Sequence, residues 1–451
     1  MSDMLSIGAS GLRAYQTALS TTSDNIANAG TAGFSRRTAT IEEIAKANRV
    51  GLGQTTNLVG NGAYASGIAR SEDSFRAADV RRTSSDLART ETGVVWLDRI
   101  EGALGGNKLD ERLTAFFNAA TGVAADPAAS APRAVMLETA SSLAAAFTGT
   151  GNALAGAASD LAGTGRDAAD QLSGLSASLV KVNDGLARAD TNSAGRAQLL
   201  DERDRLLESM SAITDVSVST DSIGRATVRA GGTAGPILAD VESASTVTFV
   251  MNDSGATSIA VHRNGITQPL NASGGAFAGI SDAAGRIASA RETLNTMAQS
   301  FVDGVNAVQA NGADLNGKTP ADPIFATDPA NPTTITMVMN DPKGIAAASV
   351  GEGARGNGNL AALTELRASG GYETTLDDLT TANAAALQSR SSVASAQSAI
   401  RDAAVAARDS VTGVDLDEEA VDLIRFQQAY QASSRVIQVA RDTLNAIFEI
   451  F

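Results

Sequence analysis

The strongest constraint in this sequence is a seven-residue apolar repeat that follows the C-terminal end of the chain. Its members are Leu416, Leu423, Tyr430, Ile437, Leu444 and Phe451, with Phe426 and Ile447 on the same helical face. A similar stripe at the other end contains Leu5, Leu12, Tyr15, Leu19 and Ile26. Such a stripe keeps its register only against another helix. Both ends therefore predict coiled-coil helices.

Two interpretations of the C-terminal stripe are open, because an amphipathic helix that faces an ordinary core gives the same pattern. Chain ends usually fray, however, and here both ends are the most strongly patterned segments. This favours a subunit that polymerises through its ends, with the stripe residues as inter-helix and inter-subunit contacts.

Composition removes several classes of function. The chain has 451 residues, no cysteine, one histidine and a formal net charge of −15. Disulfides and thiol chemistry are excluded, and a histidine metal site or a catalytic triad is improbable. The negative charge opposes binding to nucleic acid or to an anionic membrane. We therefore expect a structural protein rather than an enzyme, with no metal and no cofactor.

The pattern of residue types predicts a mainly α, elongated molecule with terminal coiled-coil helices and one small inserted β domain. Residues 213–283 contain the strand signals, with hairpin turns at 252–255 and at Asn264-Gly265. The chain would then run out and back, with its first and last helices side by side. Three units are expected, and their ranges are 1–35 with 411–451, 36–212 with 284–410, and 213–283.

Further segments are predicted more locally. Residues 3–28 form a helix that ends at glycines, and residues 45–70 look like an extended polar connector. The stretch 132–190 is Ala-rich, and its glycines suggest a kinked helix or two helices. Helix resumes at 286–310 after the β region.

Four segments resemble motifs of the bacterial flagellar axial proteins, the family of rod, hook and hook-associated subunits. Residues 25–36 read NIANAGTAGFSR and keep the spacing of the family's N-terminal motif, although Gly30, Ala32 and Phe34 replace its Asn, Pro and Tyr. Residues 417–420 and 423–433 are similar to the C-terminal motif. Residues 199–204 (LLDERD) and 312–317 (GADLNG) look like internal motifs of hook-associated members.

This resemblance implies a route of export and a set of partners. The subunit would leave the cell unfolded and uncleaved through the flagellar type III apparatus, in agreement with the lack of a signal-peptide pattern near Met1. It would be extracellular and form a ring at the distal end of the hook. Its implied partners are the hook protein, a second junction protein and an export chaperone at the C-terminal helix. Motif residues Asn25, Asn28, Gly33, Phe34 and Ser35 would shape the turn that leaves the inner tube.

Two other classes of function stay open from the sequence alone. A soluble coiled-coil signalling protein resembling a chemoreceptor would share the Ala-, Ser- and Gln-rich composition, but predicts one uninterrupted helical hairpin. An axial-type protein with an enzymatic middle region would place its chemistry in 213–333.

Two charged groups also have competing interpretations. Asp415 and Glu418 fit a helix-capping box better than a calcium loop. The pair Arg36-Arg37 is expected either to contact a neighbouring subunit or to be solvated.

Overall fold

The computed structural model describes residues 2–44 and 62–448, and the side chains of 4–44 and 62–446. Within these ranges the chain forms nine α-helices: α1 (Ser2–Asn28), α2 (Ser74–Gly105), α3 (Leu109–Ala125), α4 (Ser130–Arg188), α5 (Ala194–Ile213), α6 (Gly275–Asn311), α7 (Gly358–Gly370), α8 (Tyr372–Thr412) and α9 (Leu416–Phe448). No helix in the described ranges is long and apolar enough to cross a membrane.

The strands of the described residues are short and lie in five small antiparallel sheets. They are β1 (Arg37–Glu43), β2 (Ala63–Arg70), β3 (Val216–Thr220), β4 (Ala226–Ala230), β5 (Ile237–Ala239), β6 (Thr246–Met251), β7 (Thr257–Arg263), β8 (Ile266–Pro269), β9 (Gly312–Ala313), β10 (Phe325–Asp328), β11 (Asn331–Met337) and β12 (Ala348–Ser349). The mainly α fold with a small β-rich insertion is confirmed.

The first and last helices pack along each other, as the out-and-back path predicted. We call α1 and α9 together the terminal helix pair. Two glycines of α1 allow close approach: a Cβ built on Gly8 would lie 2.7 Å from Cγ1 of Ile437, and one on Gly11 would lie 2.9 Å from Oγ of Ser433. The small residues thus let the two backbones come together where larger side chains would separate them.

Helix α4 corrects the prediction of two separate helices in this stretch. It runs without interruption for 59 residues through all of its glycines. Two of these glycines make room for neighbouring elements. A Cβ on Gly151 would lie 2.2 Å from Oγ1 of Thr333, and a Cβ on Gly165 would lie 2.4 Å from the ring of Phe249 in β6. These two glycines thus serve packing against α4.

One continuous core joins α4 and α6 to the other elements of the body. Its aromatic centre lies where α3, α6 and the β10–β11 hairpin meet. Phe301 of α6 has ring centroids within 5.5 Å of Phe116 and 5.6 Å of Phe325. The core is thin elsewhere and is filled mainly by alanine and leucine, in keeping with an aromatic content of only 4%.

The middle β region forms two three-stranded meanders, β3-β4-β5 and β6-β7-β8, rather than one sheet. Both predicted hairpin turns are present, and at the second one Asn264 and Gly265 have φ of 49° and 77°. Helix α6 already begins at Gly275, so the end of the 213–283 range is helical. Strand β6 packs on α4, and the meanders therefore share the helical core.

The predicted polar connector at 45–70 is partly a strand. Residues 63–70 form β2, which pairs with β1 from Arg37–Arg70 to Glu43–Ala63, with a bulge next to Thr40. The remainder of that prediction, residues 45–61, lies outside the described residues. The β1–β2 hairpin packs along α1 and so extends the terminal helix pair sideways.

The close contact of α4 with β6 gives a test in which two glycines serve as a matched pair. Alanine at position 163 or 165 gains the same helix propensity, about 1 kcal/mol. A Cβ at Gly163 meets nothing within 4 Å, but at Gly165 it collides with Phe249, whose ring is itself stacked on Phe277. We expect Gly165→Ala to be less stable than Gly163→Ala by about 1–3 kcal/mol in chemical denaturation. Equal free energies of unfolding would contradict this packing.

Candidate functional site at the base of the terminal helix pair

Three of the four motif segments converge at one place, where the terminal helix pair joins the body. The turn after α1, the middle of α5 and the start of α9 meet there through side-chain hydrogen bonds and ion pairs. The fourth motif, 312–317, does not take part. Its Asp314 accepts hydrogen bonds from the backbone of Asn316 and Lys318, and its strand pairs with β12.

Asn25 fixes the path of the chain from α1 into β1. Its side-chain amide Nδ2 donates to the carbonyl of Arg37 at 2.7 Å, and its Oδ1 accepts from the N–H of Arg37 at 3.0 Å. Asn25 is buried. A bidentate amide pair of this kind satisfies both main-chain groups of Arg37 as a neighbouring strand would. The predicted turn residue Asn25 thus has a defined structural contact.

The other predicted turn residues lie next to this pair. Gly33 has a φ of 77°, a conformation that favours glycine, and the guanidinium of Arg37 lies 4.6 Å from the ring centroid of Phe34. Ser35 is buried, whereas the Asn28 amide donates within α1 to the carbonyl of Asp24. Asn28 also contacts the turn, because its Oδ1 accepts from the hydroxyl of Thr31 at 3.4 Å and its carbonyl accepts from the N–H of Thr31 at 2.9 Å.

A buried carboxylate on α5 binds both strands of the β1–β2 hairpin, and we call this group the Asp201 clamp. One oxygen of Asp201 accepts from Arg37 at 2.7 Å and the other accepts from Nε of Arg70 at 2.7 Å. Arg70 also reaches Asp204 at 2.7 Å. Burial alone would lower the pKa of Arg70, but the charges of Asp204 and Asp201 outweigh it and raise that pKa. Three charged side chains are thus held together away from water.

Arg36 connects the same turn to the start of α9. Its Nε donates to the buried carboxylate of Glu419 at 2.6 Å, and its guanidinium also pairs with Glu418 and Asp422. Burial lowers the pKa of Arg36, yet the hydrogen bond from its side chain to Glu419 and the neighbouring negative charges raise it overall. Asp415 caps α9 by accepting from the N–H groups of the next turn, which confirms its predicted capping role.

The interpretation of Arg36-Arg37 as a solvated pair was therefore wrong, because each arginine has ion-pair partners inside the chain. Contact with a neighbouring subunit stays a prediction. The sequence carried one usable signal, because LLDERD places an acid on an amphipathic helix beside leucines, where a buried partner is required. The sequence alone could not show which arginine or lysine would pair with this acid.

The predicted stripe residues mostly lie along the contact between α1 and α9. Partly buried are Leu5, Leu12, Tyr15, Leu19, Leu423, Phe426, Tyr430, Ile437 and Leu444. The rings of Tyr15 and Phe426 are 6.5 Å apart. Ile26 and Leu416, at the two ends of the stripes, are exposed. The side chain of Ile447 and the whole of Phe451 lie outside the described residues. Within one chain, this stripe is an intramolecular seam.

Sequence reasoning missed a second apolar surface on α9. Val421, Ile424 and Val439 are 65%, 55% and 56% exposed, and they lie on the side of the helix opposite to Phe426 and Ile437. We call these three residues the outer stripe of α9. Its signal is weak in the sequence because polar residues such as Gln428 and Arg435 interrupt it. This surface has no partner among the described residues.

Comparison with known proteins matches three parts of the chain to family models. Residues 5–34 match the flagella basal body rod protein family, and residues 409–450 match the C-terminal region of the flagellar basal body rod FlgEFG proteins. Residues 97–325, about half of the chain, match the helical domain of the flagellar hook-associated protein FlgK.

Full-length relatives agree with these matches. Flagellar hook-associated protein 1 of Bacillus subtilis (strain 168) is 24% identical, and the match covers 97% of this chain and 96% of that protein. The protein of the same name from Salmonella typhimurium is 27% identical over 70% of this chain and 58% of its own length. The solved flagellar hook junction protein FlgK from Burkholderia pseudomallei is 22% identical with a TM-score of 0.49, covering 56% of this chain and 47% of that one.

The first and last helices pack as a pair, and both match family models of flagellar rod proteins. These two features define a flagellar axial protein. Within that class, the chain belongs to the flagellar hook-associated protein FlgK family. It is a structural, flagellar protein whose family self-assembles in the flagellum. The chemoreceptor-like and enzymatic alternatives find no support in these matches, and the β meanders interrupt the continuous helical hairpin that the former predicts.

The Asp201 clamp can be tested by removing its charge. Asp201→Asn leaves the buried Arg37 without a carboxylate and takes one of two carboxylate partners from Arg70, which keeps Asp204. Breaking a buried ion pair in this way costs about 3–5 kcal/mol. We expect faster hydrogen exchange throughout β2 and a lower free energy of unfolding. The neighbouring Glu202 pairs with Arg205 at the surface, so Glu202→Gln should change stability by less than about 1 kcal/mol. Similar effects from the two variants would mean that the clamp is unimportant.

Proposed function

We propose that this chain is the subunit that assembles at the distal end of the flagellar hook and joins the hook to the filament. The single observation that carries the proposal is the outer stripe of α9. The inner face of α9 is occupied by α1, so an apolar surface on its other side is available to a second copy. Apolar side chains along one side of a helix are what a second helix packs against.

The terminal helix pair suits this role because it is already folded before it meets a neighbour. The Asp201 clamp and Arg36 hold its base against the body, so copies that pack through the outer stripe would place their bodies at one fixed angle. We propose that α1, α9 and the adjoining turn form the inner unit of the assembly. The helical middle and the β3–β8 meanders, within the predicted 213–283 unit, would lie further out.

The proposed partners follow from the hook-associated family. The hook protein would lie below this subunit, a second junction protein above it, and further copies beside it in a ring. We propose export through the flagellar type III apparatus to an extracellular position, with a chaperone that covers α9 before export. A chaperone on this helix would cover the outer stripe until export.

Removal of the gene from its flagellated host tests the junction role. Without a junction subunit, flagellin has no surface to polymerise on, so we expect complete hooks, no filaments and flagellin monomers in the medium. Electron microscopy and immunoblotting of the culture fluid measure these results, and a plasmid copy of the gene should restore the filaments. Normal filaments in the deletion strain would refute the proposal.

The outer stripe has its own test. Val421→Ser, Ile424→Ser and Val439→Ser together remove apolar area that is exposed in the single chain, so the circular dichroism of the purified protein should change little. Each buried side chain contributes about 1.5–3 kcal/mol in an assembly. We therefore expect export to continue while incorporation into flagella is lost, as measured by immunogold labelling.

The control for this experiment is Val393→Ser with Ile400→Ser, two changes of the same chemical kind at exposed apolar positions of α8. They should leave incorporation intact. Serine at Leu423, Ile437 and Leu444 differs from both, because these residues line the seam with α1 and their loss should reduce the helical signal of the single chain. Normal incorporation of the outer-stripe variant would exclude this surface as the assembly contact.

A further inference from the structure

Strand β3 is an edge strand whose outer side is not paired. In the β3–β4 ladder Gly231 donates to the carbonyl of Asp215 and Asp221 donates to that of Arg225, so the odd-numbered residues of β3 face β4. The main-chain groups of Val216, Val218 and Thr220 therefore point away from the sheet. They make no hydrogen bond within the described part of the chain.

This free edge borders a cleft against the first half of α2. One part, of about 720 Å³, is lined by Phe75, Arg81, Leu200, Val218 and Thr220 among others. A second part, of about 460 Å³, lies beyond Arg81 and is lined by Ser85, Val216 and Val218. The cleft is thus long, follows the strand and has an apolar floor of Leu200 and Leu207.

Two polar groups in the cleft lack a direct partner. Arg81 lies at the middle of the cleft and makes no ion pair or hydrogen bond within the described residues. Burial lowers its pKa, although the charges of Asp204 and Glu208 nearby act in the opposite direction. The hydroxyl of Ser85 is buried and has no partner. At the mouth, the side chain of Phe75 is 84% exposed. A free strand edge, an unpaired cation and an exposed aromatic ring together fit an extended segment that carries an acidic side chain.

We propose that this cleft receives strand β1 of a second copy of the chain, which adds to the edge of β3 and places Glu43 near Arg81. The inference rests on the proposed function, since it requires copies side by side. Two properties of β1 favour it as the occupant: its free edge and its acidic side chains. Strand β1 belongs to a two-stranded sheet and so has a free edge of its own beyond the contact of Asn25 with Arg37.

The acids of β1 are suited to this contact. Glu43 is exposed and makes no ion pair within the described residues, and Glu42 accepts only a hydrogen bond from the hydroxyl of Tyr64 at 3.2 Å. Among the other described edge strands, β3 and β8 carry no acidic residue, and Asp328 of β10 already accepts a hydrogen bond from the N–H of Ala330. Charge therefore selects β1 over these strands as the occupant of a cleft that contains an unpaired arginine.

Photo-crosslinking in flagella isolated from the host tests the proposal. The photoreactive amino acid p-benzoylphenylalanine replaces the exposed Ser219 of β3, and the same replacement at Val421 reports contact through the outer stripe of α9. A third replacement at Ile266 of β8, on the edge of the other meander, is the matched control. We expect Ser219 to give a dimer whose crosslinked peptide contains residues 37–43, and Ile266 to give no such peptide.

Each outcome separates the two claims. Dimers from Val421 with no dimer from Ser219, or with Ser219 joined to any other segment or protein, would overturn the cleft proposal and leave the junction function standing. Failure of both sites to give dimers would overturn both. Arg81→Glu should reduce the Ser219 dimer about tenfold, because it sets two like charges together. Combining it with Glu43→Lys should restore the yield, and no restoration would exclude this pair.

Discussion

The attachment of the terminal helices to the body depends on one buried carboxylate. Asp201 binds two arginines from opposite strands of the β1–β2 hairpin, and these residues lie 164 and 131 positions away in the sequence. Charges that are removed from water cost several kcal/mol each unless they are paired. An orientation that separated Arg37 from Asp201 while both stayed buried would leave two charges without this ion pair. The clamp therefore selects one geometry for the junction, whatever its net contribution to stability.

A single geometry at the junction matters because the elements on both sides of the clamp form thin layers. The terminal helix pair is only two helices thick, and its closest contacts are made by Gly8 and Gly11 of α1. The body uses the same device where Gly165 of α4 admits the ring of Phe249. In both places the missing glycine side chain leaves room for a neighbouring side chain to pack directly on the helix backbone. Thin layers bend easily, and a polar clamp at their joint restricts the bending to defined positions.

The sequence was sufficient for features that depend on local periodicity. The heptad stripes located α1 and α9, and Asn264-Gly265 located a hairpin turn. It failed where a distant residue decides the outcome. The glycines of α4 looked like breaks because Thr333 and Phe249, which fill the space above them, are far away in the sequence. Helix α7 and the early start of α6 were missed for a similar reason, since their faces are defined by tertiary contacts. The partners of Arg36 and Arg37 were also beyond reach.

Helix α9 shows why the strongest stripe in a sequence is not always the surface that meets another subunit. Its regular heptads are continuous because α1 requires an unbroken seam over the whole length of the contact. A surface reserved for a neighbour has a different requirement: it must remain soluble before assembly. The outer stripe meets this requirement because Val421, Ile424 and Val439 lie among Gln and Arg residues. No large continuous apolar area is therefore exposed. Interrupted patterning is thus the expected form of an assembly surface on a chain that must also exist alone.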